Sequence, residues 1–346
     1  MLCLKINRFK LKNLFGQGHF TEHLTVGGNA DFADQAILIF KHQSCQNPVY
    51  SAYLNHLNID PNTIKSIREI PFLPISFFKS YQIKTGDFKE ECVFESSGTT
   101  GGTNSRHSVR QLSAYLSNTE SNFRERYGEP SQYCFLALLP SYLERGNSSL
   151  VAMADHLIRL SNHPLGGFFL HDTDRLHATL LQLEKEGQDV ILLGVTYALI
   201  DFAEQYPMNL VHTIVMETGG MKGRKKELTR AELHACLQTR LGLETIHAEY
   251  GMTELQSQAY SNGNGIFRPS STMKVLLRSP DDPFEIWEQH EHVMRTGVIN
   301  VVDLANADTI SFIATDDLGR FTADGRFEIL GRMDNADIRG CSLLTV

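Results

Sequence analysis

The chain has 346 residues, more than a usual single hydrophobic core, so we expect one large domain with subdomains or two domains. A hydrophobic content of 42%, a charged content of 21% and a formal net charge of −8 exclude a disordered chain and argue against a dedicated nucleic-acid-binding surface. We find no apolar run long enough to cross a bilayer and expect a cytoplasmic protein with small-molecule or protein partners.

The first half of the chain mixes helical and extended patterns. Apolar residues at i, i+3, i+4 and i+7 spacing predict a helix over 30–43. Two prolines in 71–79 rule out a regular helix there and predict an extended apolar segment. A further helix is predicted over 109–127, with its N-terminus beside the glycine-rich segment that precedes it.

Apolar strands and amphipathic helices alternate from Tyr133 onward. Strands this uniformly apolar, each separated by a helix, are typical of a parallel sheet covered on both faces, so the fold class is α/β. Strands are predicted at 135–139, 167–170, 190–194, 210–216 and 245–248, and helices at 148–160, 176–186, 196–205 and 229–241.

The last hundred residues show a different pattern, with short strands separated by turn signals. Strands at 275–277, 297–302, 310–314 and 327–330 suggest a smaller antiparallel β subdomain packed on the α/β core. We therefore divide the chain into a core, 1–265, and a β subdomain with a short tail, 266–346.

The segment 92–108 combines glycines with hydroxyl side chains. Glycine allows close backbone approach to an anion, and hydroxyl groups add hydrogen-bond donors, so this composition suits a phosphate. A plain connecting loop has the same composition, and the segment alone does not decide between the two. Its candidate phosphate ligands are Ser96, Ser97, Gly98, Thr99, Thr100 and Gly101.

Polar motifs follow three predicted strands, at the carboxyl ends where α/β sheets bind ligands. They are Glu217-Thr-Gly-Gly-Met-Lys-Gly-Arg224, Glu249-Tyr-Gly-Met-Thr-Glu254 and Thr315-Asp-Asp-Leu-Gly-Arg320. Together with the segment 92–108, they predict one ligand site at this edge of the sheet.

The ordered set Ser-Ser-Gly-Thr-Thr-Gly, Gly-Gly, Tyr-Gly-Met-Thr-Glu, Thr-Asp-Asp-Leu-Gly-Arg and Gly331-Arg-Met-Asp334 resembles the large domain of adenylate-forming enzymes, from about residue 70 to the end. Within that superfamily the chain is most similar to LuxE-like acyl-protein synthetases, through segments 70–79, 218–224, 249–258 and 337–344. The resemblance implies that ATP and Mg²⁺ activate a carboxylic acid, a fatty acid being favoured, and that the acyl group passes to a cysteine near the C-terminus.

The resemblance also implies a role for each motif residue. The hydroxyl segment would bind the ATP phosphates, and Thr253 the α-phosphate. Adenine would lie against Gly219 and Gly220 with Tyr250 on its face, flanked by Glu249 and Gly251. Glu254 would hold Mg²⁺, Asp317 the ribose hydroxyls, and Arg332 ribose or phosphate. Ordinary structural roles, such as a strand cap for Tyr250 or a turn for Asp317, are the alternatives.

The sequence departs from the superfamily pattern at two places. The loop continues as Thr103-Asn-Ser-Arg106 where relatives have Pro-Lys, so we expect Arg106 to substitute for the lysine. The chain ends soon after Asp334, where relatives have a hinge and a small domain, so we expect that small C-terminal domain to be absent.

Six cysteines lie far apart without zinc-binding spacing, and most are expected to be ordinary thiols. Cys341 is the exception. It lies near the C-terminus, with Arg339 nearby to favour its thiolate, and we predict that it accepts the acyl group.

Two alternatives remain open. One is an acid-CoA ligase or carrier-protein loader in which Cys341 is structural. The other is a degenerate adenylate-binding subunit of an acyl-reductase complex, for which the acyl reductase is the partner. The pocket for the acid is expected near residues 139–156, Gly194 and His247.

Overall fold

The computed structural model describes residues 31–96, 103–139, 146–219 and 229–333, and the fold set out here is that of these residues. The helices are α1 (Phe32–Gln46), α2 (Pro48–His56), α3 (Phe77–Ser80), α4 (Leu112–Tyr127), α5 (Ser149–Ser161), α6 (Thr173–Glu186), α7 (Thr196–Gln205) and α8 (Arg230–Leu241). Among them, none has the length and apolar character that a membrane-spanning helix needs.

The strands range from two to ten residues in length. They are β1 (Leu73–Pro74), β2 (Cys92–Glu95), β3 (Arg106–Val109), β4 (Cys134–Leu138), β5 (Gly167–Phe168), β6 (Val190–Val195), β7 (Thr213–Thr218), β8 (His247–Tyr250), β9 (Ala259–Ser261), β10 (Ile266–Pro269), β11 (Met273–Arg278), β12 (Ile286–Trp287), β13 (Gly297–Asp303), β14 (Phe312–Phe321) and β15 (Phe327–Arg332).

Within the described residues, 13 strands form one sheet in the order β12-β11-β13-β14-β15-β10-β9-β8-β7-β6-β4-β5, with β1 paired to β14. The strands from β8 to β5 are parallel, and the pair β8–β9 is antiparallel. The predicted α/β class, with a parallel core and antiparallel C-terminal strands, is confirmed. The antiparallel strands continue the parallel sheet edge to edge.

The parallel strands and helices α5–α8 share one hydrophobic core. Strands β4 and β6 are buried along their whole length, which explains why they read as continuous apolar runs. A side chain at Gly194 would meet Leu199 Cγ at 2.7 Å and Leu138 Cβ at 3.2 Å. The space beside Gly194, where we expected part of the acid pocket, is therefore filled by the core.

The antiparallel strands share a second core with the N-terminal helices α1 and α2. Phe40 packs edge-to-face on Phe312 of β14, with ring centroids 6.0 Å apart. Leu73 of β1 pairs in parallel with Ile313. The N-terminal part of the described chain thus packs with its C-terminal strands, and the division at residue 265 stays a prediction.

Strands β2 and β3 form a hairpin outside the main sheet, with Glu95 opposite Arg106. This corrects the prediction that α4 begins beside the glycine-rich segment. The backbone N–H of Leu112, at the start of α4, donates to Glu91, at the opposite end of the hairpin from the segment 96–105. The N-terminal end of the α4 dipole is therefore at Glu91 and not at Ser96 or Ser105.

Two further predictions are corrected in detail. Residues 73–74 are extended as predicted, but Phe77–Ser80 form one helical turn once the prolines have passed. The motif 315–320 was placed after a strand, whereas β14 continues through it to Phe321. The register of β14 against β13 shifts between Val298 and Asn300, and this irregularity lies opposite residues 315–317.

Candidate functional site

The motif of residues 249–254 begins inside β8, because Glu249 and Tyr250 are its last two residues. Glu249, Tyr250 and Glu254 are buried, whereas Gly251 and Thr253 are partly exposed. Leu255 N–H donates to the carbonyl of Met252 over 3.1 Å, so the chain turns directly after the strand. This turn places the side chains of Thr253 and Glu254 at the carboxyl edge of the parallel strands.

Tyr250 and Asp317, predicted to contact different parts of one nucleotide, lie side by side. The Tyr250 hydroxyl donates to Asp317 Oδ2 over 2.8 Å. Arg332 Nε lies 3.4 Å from Asp317 Oδ1, and the Arg332 side chain is 65% exposed. Burial raises the pKa of Asp317, and the charge of Arg332 opposes that rise. The site therefore holds a shielded carboxylate beside an accessible guanidinium.

Glu254 belongs to the same cluster. Burial raises the pKa of its carboxyl, and a hydrogen bond from the Ser105 side chain is the main opposing influence. The charge of Arg332 lowers the pKa of Glu254, and the charge of Asp317 raises it. Because two carboxylates lie within electrostatic range of each other, an added cation would be stabilised here.

Two further carboxyl groups are buried, Glu249 on β8 and Glu217 on the neighbouring strand β7. The Thr218 hydroxyl, at the end of β7, donates to Glu249 Oε2. Burial raises the pKa of Glu249 to about 7, and the neighbouring charge of Glu217 adds to the rise. A Cβ atom at Gly251 would lie 2.4 Å from Glu249 Oε1, so the glycine leaves room for this carboxyl.

Arg230, which sequence reasoning missed, joins these carboxyl groups to the cluster around Asp317. Its Nε donates to Glu217 Oε1 over 3.1 Å, and its Nη1 donates to the carbonyl of Ile329 over 3.3 Å. The charge of Arg230 also lowers the pKa of Asp317. The sequence signal that could have indicated Arg230 is its position at the start of α8, which follows directly on a glycine- and lysine-rich segment.

Gly219 and Ser96 stand at the edges of segments outside the described residues. Gly219 has a φ of +70°, and the Thr196 hydroxyl donates to its carbonyl over 2.9 Å. Since this backbone conformation disfavours other residues, glycine is required here. Ser96 Oγ accepts from Ser105 N–H over 2.9 Å. The site residues outside the described part are Ser97, Gly98, Thr99, Thr100, Gly101, Gly220 and Cys341.

Arg106 points away from the cluster. It begins β3 between two buried residues, Ser105 and His107, and its side chain is 65% exposed with Nε 3.4 Å from Glu95 Oε1. Its predicted contact with phosphate stays a prediction.

His247, expected near the acid pocket, begins β8 instead of ending it and lies 3.1 Å from the Tyr127 hydroxyl.

The donors in this cluster suit a nucleotide with a magnesium ion. Mg²⁺ is commonly held by one or two carboxylates together with substrate phosphates, which matches the buried Glu254. In the part of the chain that the structure describes, His, Cys, Asp and Glu side chains form no group of three or more that could hold a metal by themselves. The residues fit a metal brought in with a polyanion.

Carboxylates, a tyrosine and arginines gather where the end of β8 meets β14 and β15, so the chain is an α/β protein with a candidate ligand site at this place. The family model described as "Acyl-protein synthetase, LuxE" matches residues 31–345. The chain therefore belongs to the LuxE acyl-protein synthetase family. No curated protein matches it at a significant level.

Solved structures similar to the chain include three ligases. O-succinylbenzoate coenzyme A synthetase from Bacillus subtilis, in complex with ATP and magnesium ion, is 17% identical over 72% of this chain and 51% of that chain, with a TM-score of 0.49. A mutant coronafacic acid ligase from Pectobacterium brasiliense is 17% identical over 74% and 50%, with a TM-score of 0.46. A long-chain-fatty-acid-CoA ligase from Archaeoglobus fulgidus is 13% identical over 69% and 51%, with a TM-score of 0.46. The chain thus spans about half the length of each.

Proposed function

We propose that this chain activates a carboxylic acid, a fatty acid being favoured, with ATP and transfers the acyl group to a thiol. A carboxylate oxygen attacks the α-phosphorus, the bond to pyrophosphate breaks, and an acyl-adenylate forms. A thiolate then attacks the acyl carbon, a thioester forms, and AMP leaves. The observation that carries the proposal is the cluster of Tyr250, Asp317, Arg332 and Glu254, four predicted site residues from distant parts of a chain whose family is acyl-protein synthetase.

The geometry supports a division of roles around the nucleotide. Asp317 can accept both hydroxyls of a ribose, because a carboxylate is bidentate. Tyr250 would present its ring to adenine beside Gly219, and Arg332 is exposed enough to reach ribose or phosphate. Mg²⁺, held at Glu254, would supply positive charge to the phosphates, and Thr253 would donate to the α-phosphate. Ser96, Ser97, Thr99 and Thr100, with Gly98, Gly101, Gly220 and Arg106, complete the proposed phosphate and adenine contacts.

We propose Cys341 as the acyl acceptor. It lies outside the described residues, so the proposal rests on its position in the family match and on Arg339, whose charge favours a thiolate. An acyl reductase that takes the group from this thioester is the partner that the chemistry favours.

Two measurements on one set of proteins test the proposal. The first is ATP–pyrophosphate exchange with a panel of carboxylic acids of increasing chain length. The second is protein-bound label from a radiolabelled acid, released by neutral hydroxylamine as expected for a thioester. We expect Cys341→Ser to keep the exchange and lose the labile label. The matched control is Cys236→Ser, a partly buried thiol on α8, which keeps both.

The outcomes separate the alternatives. Labile label that persists in Cys341→Ser would show that another thiol accepts the group. If wild type and Cys341→Ser transfer the labelled acyl group to added coenzyme A or carrier protein equally well, the chain is an acid-CoA ligase or carrier-protein loader. Wild-type protein that binds AMP but shows no exchange with any acid would make it an adenylate-binding subunit of a larger complex.

A further inference from the structure

The main chain of Thr253 and Glu254 is held by side chains from two distant parts of the fold. His107 Nδ1 lies 2.7 Å from the carbonyl oxygen of Thr253. Asn306 Nδ2 donates to the carbonyl oxygen of Glu254 over 2.8 Å. Consecutive carbonyls are thus fixed from the β2–β3 hairpin on one side and from the turn after β13 on the other.

The His107 ring is oriented by contacts on both of its nitrogens. It is 0% exposed and packs edge-to-face on Phe78, with ring centroids 5.7 Å apart. Nδ1 faces a carbonyl, which can only accept, so Nδ1 carries the proton. Burial lowers the pKa of His107, and its Nε2 lies 2.9 Å from the Thr309 hydroxyl, which donates its proton to Asn306 Oδ1. Asn306 Oδ1 also lies 3.0 Å from Nε2.

Ser105, the residue before β3, supplies a second link. Its backbone pairs with Ser96 at the base of the glycine-rich segment, where Ser96 N–H donates to the carbonyl of Ser105 over 3.1 Å. Its side chain is buried and hydrogen-bonds the Glu254 carboxylate. Ser105, just before β3, and His107, on β3, therefore face inward, toward Glu254 and Thr253, while Arg106 between them faces solvent.

We propose that His107 and Ser105 are positioning residues that hold Thr253 and Glu254 in a fixed position relative to Ser96 and Ser105, the residues that pair at the base of the glycine-rich segment. The role rests on the proposed function, because Glu254 must meet a metal bound to the phosphates that this segment binds. A hydrogen bond from Nδ1 to Thr253 sets the main chain, and the Ser105 hydroxyl sets the Glu254 carboxylate. Neither residue needs to contact the nucleotide.

The test compares ATP binding with and without Mg²⁺, measured by calorimetry on the full chain. His107→Leu removes the donor to Thr253, and we expect the Kd for ATP with Mg²⁺ to rise about 10-fold, the loss of one buried hydrogen bond. The Kd for ATP without Mg²⁺ should change far less. His107→Asn places an amide nitrogen near the position of Nδ1 and should restore Mg²⁺-dependent binding, whereas His107→Gln, which places it near Nε2, should not.

Two further variants keep the test independent of folding. Ser105→Ala removes only a hydroxyl, and we expect it to weaken Mg²⁺-dependent ATP binding by a few-fold while the melting temperature changes little. His177→Leu is the matched control, a partly buried histidine on α6 whose ring stacks on Tyr206 with centroids 4.5 Å apart, and it should bind ATP as wild type does.

Equal loss of affinity with and without Mg²⁺ in His107→Leu, with no rescue by His107→Asn, would reduce His107 to a stability role and overturn the proposal. Wild-type affinity in both His107→Leu and Ser105→Ala would do the same. Wild-type protein that binds no ATP under either condition would instead contradict the proposed function, and the positioning role would fall with it.

Discussion

Tyr250 donates a hydrogen bond of 2.8 Å to Asp317, which lies 67 residues further along the chain. The bond joins the last residue of β8, in the parallel part of the sheet, to the irregular section of β14 in the antiparallel part. It therefore fixes the carboxylate proposed to bind ribose against the ring proposed to face adenine.

Tyr250→Phe keeps the ring and removes the donor to Asp317. Hydrogen bonds to charged groups contribute about 1.5–3 kcal/mol, so we expect the Kd for AMP to rise at least about 10-fold, as titration calorimetry can measure. Tyr81→Phe is the control, since Tyr81 is 54% exposed and lies away from the cluster. An unchanged Kd for Tyr250→Phe would show that this hydrogen bond does not contribute to AMP binding.

Glu249→Gln should change how stability depends on pH. The folded protein raises the Glu249 pKa from 4.5 to about 7, so the carboxyl keeps its proton in the folded state and loses it on unfolding. The folded state binds more protons between these values, and wild-type stability therefore falls as pH rises from 4.5 through 7. Glu249→Gln has no carboxyl to ionise, so its unfolding free energy should rise by about 3 kcal/mol relative to that of wild type between pH 4.5 and pH 7.

Urea unfolding at pH 5 and pH 8 measures this difference. Glu186→Gln, at an exposed residue that ends α6, is the control for the substitution itself. If the difference in unfolding free energy between Glu249→Gln and wild type stays constant with pH, the pKa of Glu249 is the same in the folded and unfolded states.

Gly251→Ala should destabilise the protein through its contact with Glu249. The new Cβ would lie 2.4 Å from Glu249 Oε1, whose carboxyl is also bonded to Thr218, and overpacking of this kind costs about 1–3 kcal/mol. Removing the obstacle with Glu249→Ala should reduce the cost, which a double-mutant cycle measures. Gly167→Ala, whose Cβ would stand 3.9 Å from Phe169, is the matched control. Additive effects of the pair would contradict the contact.

Asp303→Ala should be the most destabilising of these substitutions. The Asp303 side chain is 0% exposed and accepts from Gln256 N–H over 2.7 Å and from Ser257 N–H over 3.0 Å. It also accepts from the Ser257 hydroxyl over 2.6 Å and from Ala305 N–H over 3.2 Å. Loss of the acceptor leaves buried donors unpaired, and we expect a decrease of about 3–5 kcal/mol in unfolding free energy.

Chemical denaturation of Asp303→Ala and of Asp281→Ala, an exposed aspartate before β12, gives the comparison. Equal, small effects in the two variants would mean that other groups or water satisfy the donors at Gln256 and Ser257. Because these donors lie two and three residues after Glu254, Asp303→Ala should also weaken the Mg²⁺-dependent part of ATP binding.

The parallel strands could be predicted from sequence because burial on both faces leaves a continuous apolar run, as in β4 and β6. Strand ends were predicted too early where polar residues continue the strand. Glu217, Thr218 and Glu249 remain in β7 and β8 because their side chains have partners within the protein: the Thr218 hydroxyl donates to Glu249, and Arg230 donates to Glu217. Apolar periodicity does not detect such pairs.

Strand β3 was missed for a related reason. His107 and Ser108 are buried, and the partners of His107 come from Thr253, Asn306 and Thr309, so nothing local in the sequence marks it as inward-facing. Helix α2 could have been found. Asn47 accepts from Tyr50 N–H over 3.0 Å as an N-cap and is followed by Pro48 at the first helical position.

The pairing of Leu73 with Ile313 has a consequence for synthesis on the ribosome. Strand β1 is translated long before its partner β14, and at about 5–20 residues per second the delay is roughly 10–50 s. During that time the apolar side chains of α1, α2 and β1 lack the surface that covers them in the finished protein. The nascent chain therefore exposes this apolar surface until β14 emerges.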